Sequence, residues 1–348
     1  MKKHILHKTE VIKAIERKNP SYIPCWYDWI ADETWAKYGE KLKNLLADYK
    51  NDIILVDYDM PDGFVEPAPG RDEWHIYYIN EPGVFSGMRS SDLKKYDWDI
   101  LEEVILKNPP DPYAPGRFEH ATKMRAQYPD NYLVGHWWAT FFERFIALRN
   151  EADFLSDLYL NRNKVVQFGN MMCDFFCGIV DGFSDAGMDG IFFSDDLGFE
   201  AQLIFPPDVF RDVFKPLFKR LFDRIHHHNM HVIMHSCGYL WDIIPDLIDI
   251  GMDVHHFQSS VLDPEIYVKR FGKDLTFFGG IDIQKFLIST NPDGIRKGVK
   301  HYMSILDHDG GGYIAGPTNT IMPDTSFENI EAMYETMSIY SDRNKLYD

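Results

Sequence analysis

The stretch HVIMHSCGYLWDIIPDLIDIGMDVHHFQ, residues 231–258, contains two short apolar runs separated by a longer helical pattern. Residues His231–His235 and Asp253–Phe257 predict strands, and Tyr239–Ile250 predicts the helix that joins them. Most of the predicted strands along the chain are apolar on both faces, as strands of a parallel sheet covered by helices are. The stretch therefore predicts a β–α–β unit whose two strands end at the same edge of a sheet.

The tetrapeptide His235-Ser236-Cys237-Gly238 stands at the end of the first of these strands. In an extended chain, residues i and i+2 point to the same side, so the imidazole of His235 and the thiolate of Cys237 can bind one ion. This donor pair suits zinc, which normally takes at least three protein ligands. The alternative is a core histidine, bonded to a backbone carbonyl, beside a small buried thiol. The sequence thus predicts two metal ligands and leaves the third open.

Apolar runs of this kind alternate with helical patterns along the chain. The predicted strands are Tyr22–Tyr27, Asp52–Asp57, Tyr132–His136, Gly190–Ser194, His231–His235, Asp253–Phe257, Leu275–Gly279 and Gly312–Gly316. The predicted helices are Glu33–Tyr49, a pair within Thr140–Ala186, Pro207–His228, Tyr239–Ile250, Pro264–Phe271, Gln284–Asp307 and Ser326–Ser338. This alternation predicts an α/β fold, a (β/α)₈ TIM-type barrel. A doubly wound open sheet is the alternative, although no Gly-rich phosphate fingerprint follows the first strand.

Residues 58–131 break the alternation after the second strand. They are rich in Pro, Gly, Asp and aromatic residues and contain a hairpin-like stretch around Trp74–Tyr78 and Val84–Met88. Their length predicts an insertion on the upper rim of the barrel that forms a lid or a wall. Because neither an internal repeat nor a low-complexity linker divides the chain, we expect residues 1–348 to form a single domain.

Acidic residues follow two of the predicted strands, at the edge where a parallel barrel places its active site. Asp195, Asp196 and Asp282 are the candidate catalytic residues. Since adjacent side chains diverge, we expect at most one of Asp195 and Asp196 to face the pocket while the other caps a helix or binds a backbone amide. Asp282 is equally well explained as an N-cap for the next helix. Glu200 is the nearest acid that could complete a metal site or hold a polar substrate group.

Aromatic and polar side chains at the other strand ends are candidates for substrate binding. They are Tyr27, Tyr58, His136, Trp137, Glu200, His256, Gln258 and Asn319. Aromatic residues are usually ordinary core. Concentrated at strand ends, they favour a planar or aromatic ligand. The flat apolar wall predicted there consists of His136, Trp137, Trp138, Phe141 and Phe142, joined by Tyr27, Trp29, Tyr58 and Trp74.

The composition excludes several classes of protein. A net charge of −18 opposes binding to nucleic acid or to anionic membranes. Neither an apolar targeting segment at the N-terminus nor an uninterrupted apolar run of membrane-spanning length is present, so we expect a cytoplasmic protein. The four cysteines are too few and too scattered for a disulfide framework. We expect them to be reduced thiols.

The residues between Gly187 and Asn329 resemble the uroporphyrinogen decarboxylase superfamily. The segments GMDGIFFSDDLG, HSCGYLWDIIPDLIDIGMDVHHFQ, FGKDLTFFGGIDIQ and GGGYIAGPTNTIMPDTSFENIEAMYE fall in the order and spacing of that family, and TEVIKAIERKNPSYIPCWYDW is similar to its opening. The resemblance covers most of the chain and implies a distorted (β/α)₈ barrel. True decarboxylases open with an arginine-containing signature that grips the carboxylates of the tetrapyrrole, whereas residues 24–33 contain no arginine.

The His-x-Cys pattern is instead similar to the cobalamin-linked methyltransferases of the superfamily. In that branch, zinc held by this pair and by a further cysteine near the last strand activates a thiol or another methyl-bearing heteroatom. This sequence has Gly316-Pro317-Thr318-Asn319 where that cysteine would fall. The resemblance therefore implies zinc on His235 and Cys237, with a third ligand to be found elsewhere.

The hypothesis that follows from the resemblance is a zinc-dependent methyltransferase. It would move a methyl group from a small methylated compound, such as a methoxylated aromatic, to a corrinoid carried by a partner protein. A Lewis acid or a proton donor at the ether oxygen would assist because phenolate leaves reluctantly. The alternatives are a metal-free decarboxylase or lyase and a non-catalytic barrel that binds a tetrapyrrole or corrinoid. A homodimer is expected because barrels of this superfamily often pair.

Overall fold

The computed structural model describes residues 5–67, 70–79, 87–90, 97–308 and 310–347. Its framework is a parallel sheet of seven strands. In their order across the sheet these are β1 Ile53–Asp57, β4 Tyr132–Trp137, β5 Gly190–Ser194, β6 His231–Ser236, β7 Val254–Phe257, β8 Thr276–Ile281 and β9 Tyr313–Pro317, and a separate antiparallel pair consists of β2 Tyr77–Ile79 and β3 Gly87–Ser90.

Both faces of the sheet are covered, as the apolar composition of its strands requires. One face encloses an inner cluster that includes Tyr132, Phe192, Ile233 and Phe278, all fully buried. The other face packs against the surrounding helices. Because successive side chains of a strand alternate between the two faces, each strand end presents one residue inward and the next outward.

Helices precede, separate and follow the strands of the sheet. They are α1 Lys8–Ile15, α2 Asp32–Tyr38, α3 Glu40–Asp48, α4 Trp98–Leu101, α5 Glu119–Gln127, α6 Phe142–Arg149, α7 Glu151–Leu160, α8 Arg162–Asp185, α9 Pro207–Val209, α10 Lys215–His227, α11 Ile244–Asp249, α12 Pro264–Phe271, α13 Phe286–Ser289, α14 Pro292–Leu306, α15 Phe327–Tyr340 and α16 Arg343–Tyr347. Two π-helical turns, Glu102–Leu106 and Phe210–Phe214, continue α4 and α9. In the described part of the chain, no helix is long and apolar enough to cross a membrane.

Three predicted helical stretches are subdivided in the structure. The predicted helix 33–49 breaks at Gly39, whose φ of +46° ends α2 and begins α3. The pair predicted within 140–186 is three helices, separated at Asn150 and Asn161. The predicted helix 284–307 divides into α13 and α14, where Asn291 caps the second helix through the backbone N–H of Gly294. Local caps thus interrupt patterns that apolar periodicity alone presents as continuous.

The first predicted strand, Tyr22–Tyr27, is not a regular strand. Cys25 forms an isolated parallel bridge with Ala315 of β9. On the other side, Cys25 O accepts from Asp52 N–H at 2.9 Å, and Cys25 N–H donates to the Asp52 carboxylate at 2.8 Å. The segment therefore lies between the two edge strands of the sheet, but a side chain replaces part of the backbone ladder there. The barrel prediction requires eight regular strands in the parallel sheet, whereas the described residues contain seven.

The region predicted as a rim insertion contains the β2–β3 pair, α4 and α5. Residues 84–86 of the predicted hairpin lie outside the described part of the chain. Arg117 forms a buried ion pair with Glu73, and Trp74, 1% exposed, stacks on Phe176 of α8. The described part of this region is therefore packed against the helical layer.

Asp52 provides a test of how residues 22–27 are held. Its carboxylate is fully buried and accepts the N–H groups of Cys25 and Leu6, each at 2.8 Å. In Asp52→Ala both donors lose their acceptor, so we expect the free energy of unfolding, measured by urea denaturation, to fall by about 1–3 kcal/mol. The matched control is Asp208→Ala, whose side chain is 93% exposed, with an expected change within about 0.5 kcal/mol. Equal stability of the two variants would contradict this role of Asp52.

Candidate metal centre

Three potential metal ligands converge at the carboxyl ends of β5 and β6. His235 Nε2 lies 3.3 Å from Cys237 Sγ and 3.6 Å from Asp196 Oδ1. All three ligand atoms lie within 4.8 Å of one another. The i, i+2 spacing brings the imidazole and the thiol together as predicted, while the neighbouring strand supplies the carboxylate.

The third potential metal ligand, beside His235 and Cys237, is Asp196 rather than Glu200. Glu200 is exposed and does not belong to the cluster. Asp196 is fixed in place because its Oδ1 accepts the backbone N–H of Cys237 at 2.7 Å. In this geometry Glu200 lies outside the cluster, and Asp196, for which a catalytic role was predicted, is the third potential ligand.

The donor set fits a divalent cation of borderline softness. An imidazole, a thiolate and a carboxylate are zinc ligands, and three protein ligands leave a position open for a substrate. Burial, together with the charges of Asp196 and Glu143, raises the pKa of the Cys237 thiol well above its usual value. A cation bound here would reverse that balance, because metal coordination deprotonates thiols.

A chain of hydrogen bonds fixes the protonation of His235. His256 Nε2 lies 3.1 Å from the carbonyl of Pro317, which can only accept, so that nitrogen carries the proton. Burial holds the pKa of His256 well below its usual value and also lowers the pKa of His235. His256 Nδ1 is therefore an acceptor, and His235 Nδ1–H donates to it at 2.8 Å. His235 Nε2 consequently presents a lone pair toward Cys237 and Asp196.

Asn319, which follows β9, lies beside the sulfur of Cys237. Its side-chain amide donates to Cys237 Sγ at 3.2 Å and partly opposes the rise in the pKa of the thiol. Gly316 does not approach the sulfur, since a Cβ built there would lie 3.1 Å from the carbonyl oxygen of Trp26. A hydrogen-bond donor thus lies on this side of the cluster.

Asp195 and Asp282 hold helices rather than the candidate metal centre. The Asp195 carboxylate is fully buried and accepts the backbone N–H groups of Phe141, Phe142 and Glu143 at 2.9–3.0 Å, at the N-terminus of α6. Burial raises the pKa of Asp195 to about 7, although the three amide donors oppose that shift. Asp282 accepts the N–H groups of residues 284–286 in the turn that leads into α13, whose N-cap is Lys285. Both carboxylates accept backbone donors and lie outside the cluster of potential metal ligands.

Glu143 is a site residue that sequence reasoning missed. Its Oε2 accepts from Ser194 Oγ at 3.0 Å and from the backbone N–H of Asp196 at 3.3 Å. Burial and the charges of Asp196 and Asp195 raise its pKa well above the usual value. Its position in the first turn of the helix after β4 was the available signal, but that placement is equally common for simple helix-dipole stabilisation.

The aromatic surface over the cluster consists of Trp29 and Trp138. Their rings stack at 5.2 Å with an interplanar angle of 21°. Trp29 also lies edge-on to His235 at 5.1 Å and to His256 at 4.6 Å. Trp29 adopts a φ of +82°, which is rare for a bulky residue. The backbone strain is thus located where the chain turns this indole over the histidines.

Three of the predicted substrate-binding aromatics lie elsewhere. Trp137 points outward, is 4% exposed and stacks on Phe176 and Phe193. Tyr27 is fully buried and packs against Tyr49 and Tyr334. Tyr58 packs against Phe175. Strand alternation explains the first of these corrections, because adjacent residues of β4 face opposite sides of the sheet.

The remaining predicted residues lie at the same edge of the sheet. His136 lies 4.5 Å from Trp138, ring centre to ring centre. Gln258 accepts the backbone N–H of Gly238 at 3.1 Å and donates to Gln284 at 2.8 Å, and thereby holds the turn that follows Cys237. Gln258 is thus a support for the His-x-Cys turn.

The fold and the site define a parallel α/β protein with a candidate Asp-His-Cys metal centre at the carboxyl edge of its sheet. The chain belongs to the uroporphyrinogen decarboxylase (URO-D) family, whose model matches residues 142–340, more than half of the chain. The family resemblance drawn from the sequence motifs is therefore confirmed. No curated protein matches the chain in sequence.

Solved structures with a similar fold include a methyltransferase from Methanosarcina mazei. It aligns with a TM-score of 0.67 at 15% identity, over 95% of this chain and 97% of that chain. A B12-independent methionine synthase from Shewanella sp. W3-18-1, in complex with selenomethionine, aligns at 13% identity over 94% of this chain and 98% of that chain. Its TM-score of 0.49 is too low to support an argument. These alignments describe the fold.

The ligand assignment predicts a difference between two nearby acids. Asp196→Ala removes one of the three potential ligand atoms. Loss of a residue that only supports a metal ligand weakens metal binding by roughly 10- to 100-fold. We therefore expect the dissociation constant for zinc to rise by at least that factor in Asp196→Ala. Glu200→Ala, which removes an exposed carboxylate outside the cluster, should leave it unchanged. Competition with a chromophoric chelator measures both. A larger effect from Glu200→Ala would reverse the assignment.

Proposed function

We propose that this protein is a zinc-dependent methyltransferase. In this proposal it moves a methyl group from a small methylated compound, with a methoxylated aromatic as the favoured donor, to the corrinoid of a partner protein. The observation that carries the proposal is the convergence of Asp196, His235 and Cys237 beneath the stacked rings of Trp29 and Trp138. Membership of the URO-D family and a fold shared with a methyltransferase support it.

Each part of the site has a role in this proposal. Asp196, His235 and Cys237 would hold zinc, which supplies a Lewis acid to polarise the methyl-bearing heteroatom. His256 keeps the ligating nitrogen of His235 unprotonated, and Asn319 donates to the sulfur. The indoles of Trp29 and Trp138 offer a flat apolar surface to an aromatic donor and exclude water from the reacting bond.

The proposal extends to the architecture and the assembly. Residues 22–27, between β9 and β1, would act as an irregular eighth strand that closes the sheet into a barrel. Residues 58–131 would form the rim of the mouth within one domain that spans residues 1–348. We also propose a cytoplasmic protein that forms homodimers and receives the corrinoid protein at the carboxyl edge of the sheet.

The methyl transfer can be tested without the natural partner. Free cob(I)alamin serves as acceptor and 2-methoxyphenol as donor, and the absorbance of methylcobalamin reports the reaction. We expect transfer by the zinc-loaded protein. Cys237→Ser should reduce the rate by about 100-fold or more, because it weakens both zinc binding and its Lewis-acid action. Cys173→Ser, on the buried face of α8, is the matched thiol control and should retain activity.

Two results would contradict the proposed function. One is the absence of transfer from any methoxy, methylamine or methylthiol donor to cob(I)alamin when zinc is bound. The other is release of carbon dioxide from small carboxylated compounds that is unaffected by chelators and by His235→Ala. The second result would assign a metal-free decarboxylase instead.

Trp138 provides a test of the aromatic surface. Its side chain is 42% exposed, so Trp138→Ala should fold normally. Loss of one stacking partner corresponds to about 0.5–1.5 kcal/mol, and we expect KM for an aromatic donor to rise by about 2- to 10-fold with little change in kcat. The control is Tyr113→Ala, a 65% exposed aromatic that packs near α8. A loss confined to kcat would exclude a binding role for Trp138.

A further inference from the structure

A second polar pair lies at the same edge of the sheet and has no part in the candidate metal centre. Asp57 and His136 are the last residue of β1 and the fifth residue of β4, and they face each other in the parallel register. The Asp57 carboxylate accepts from His136 Nδ1. The acid thereby fixes the imidazole tautomer that carries its proton on Nδ1 and its lone pair on Nε2.

In the part of the chain that the structure describes, the other ring nitrogen of His136 is buried and has no hydrogen-bond partner. The side chain of His136 is only 5% exposed, whereas that of Asp57 is 75% exposed. Within the described residues, His136 Nε2 is inaccessible to solvent and forms no hydrogen bond. Buried polar atoms are nearly always hydrogen-bonded, because an unmet one costs free energy. A donor supplied by a ligand would satisfy this acceptor.

The surroundings of His136 connect it to the candidate metal centre. Trp138 lies 4.5 Å from the ring of His136 and 6.4 Å from that of His235. Phe192 lies 5.4 Å from His136 and 5.9 Å from His256. His136 and His235 stand on strands separated by one strand, β5, which places their backbones about 10 Å apart. A single aromatic ring can bridge that interval.

We propose that His136, positioned by Asp57, binds a hydroxyl group on the substrate at the end opposite the methyl-bearing atom. The substrate class is then a methoxylated aromatic that carries a free phenolic hydroxyl. His136 Nε2 accepts the hydrogen bond from that hydroxyl, Trp138 contacts the ring, and the methoxy group lies at the candidate metal centre. This inference rests on the proposed function for the identity of the methoxy group. The hydroxyl preference itself is a binding property and can be measured without turnover.

The experiment compares pairs of ligands that differ in one group. Dissociation constants of the 2-, 3- and 4-methoxyphenols and of the corresponding methylanisoles are measured by calorimetry with the zinc-loaded protein. We expect at least one methoxyphenol to bind about tenfold more tightly than its methyl analogue. In His136→Phe, which keeps a ring but removes both nitrogens, the preference should disappear while the affinity for the methylanisole is retained.

Asp57→Ala is the second variant, and it remains informative if His136→Phe does not fold. Because the side chain of Asp57 is largely exposed, its removal should leave the fold intact, and loss of the carboxylate frees the tautomer of His136. We expect a reduced preference for the hydroxyl-bearing ligand. Asp59→Ala, which removes a carboxylate bonded to the backbone of His120, is the control and should keep the preference.

Each outcome decides the inference. Equal binding of every methoxyphenol and its methyl analogue overturns it, as does an equal loss of affinity for both ligands in His136→Phe. A hydroxyl preference that depends on His136, without methyl transfer to cob(I)alamin, supports the hydroxyl site and contradicts the proposed function. Binding of neither ligand series overturns the aromatic substrate class together with this inference.

Discussion

The hydrogen bond between His235 and His256 is the interaction on which the candidate metal centre depends. The two residues are direct partners in the parallel register of β6 and β7. The carbonyl of Pro317 at the end of β9 sets the tautomer of His256, and His256 in turn sets that of His235. Three strands therefore determine which nitrogen of His235 faces Cys237 and Asp196. Without this chain, a neutral histidine could present an N–H group to the ligand cluster instead of a lone pair.

The two consecutive acids at the end of β5 show how one dipeptide serves two purposes. Asp195 turns toward the N-terminus of α6 and satisfies three of its backbone donors. Asp196 turns toward β6, where it accepts the N–H of Cys237 and approaches His235. The helix held by Asp195 in turn supplies Glu143, which contacts the backbone of Asp196. The acids are thus coupled: one positions the helix, and that helix supports the other.

The aromatic residues divide in the same way between structure and surface. In the consecutive pair after His136, Trp137 fills the layer between sheet and helices, while Trp138 faces the mouth and stacks on Trp29. Trp29 reaches this position only through a backbone conformation that bulky residues rarely adopt. One edge of the sheet combines three features: the backbone strain at Trp29, the convergent potential ligands and, among the described residues, a nitrogen of His136 that has no hydrogen-bond partner. That coincidence marks this edge as the functional face.

The sequence alone determined the alternation of strands and helices, the family, and the His-x-Cys pair, because periodicity and i, i+2 spacing are local properties of the chain. It also predicted that at most one of Asp195 and Asp196 faces the pocket, but it did not indicate which of the two. Only the tertiary structure brought Asp196 rather than Glu200 close to His235 and Cys237, and only it separated Trp29 and Trp138 from the other members of the predicted aromatic wall. It also revealed the contacts of Glu143 and the hydrogen bond from His235 to His256. Those features depend on side-chain direction and on contacts between strands far apart in sequence. The element boundaries also differ from the predicted ones, at the helix caps Gly39 and Asn150 and where the side chain of Asp52 bonds Cys25. Such hydrogen bonds depend on the folded structure and do not follow the apolar periodicity of the sequence.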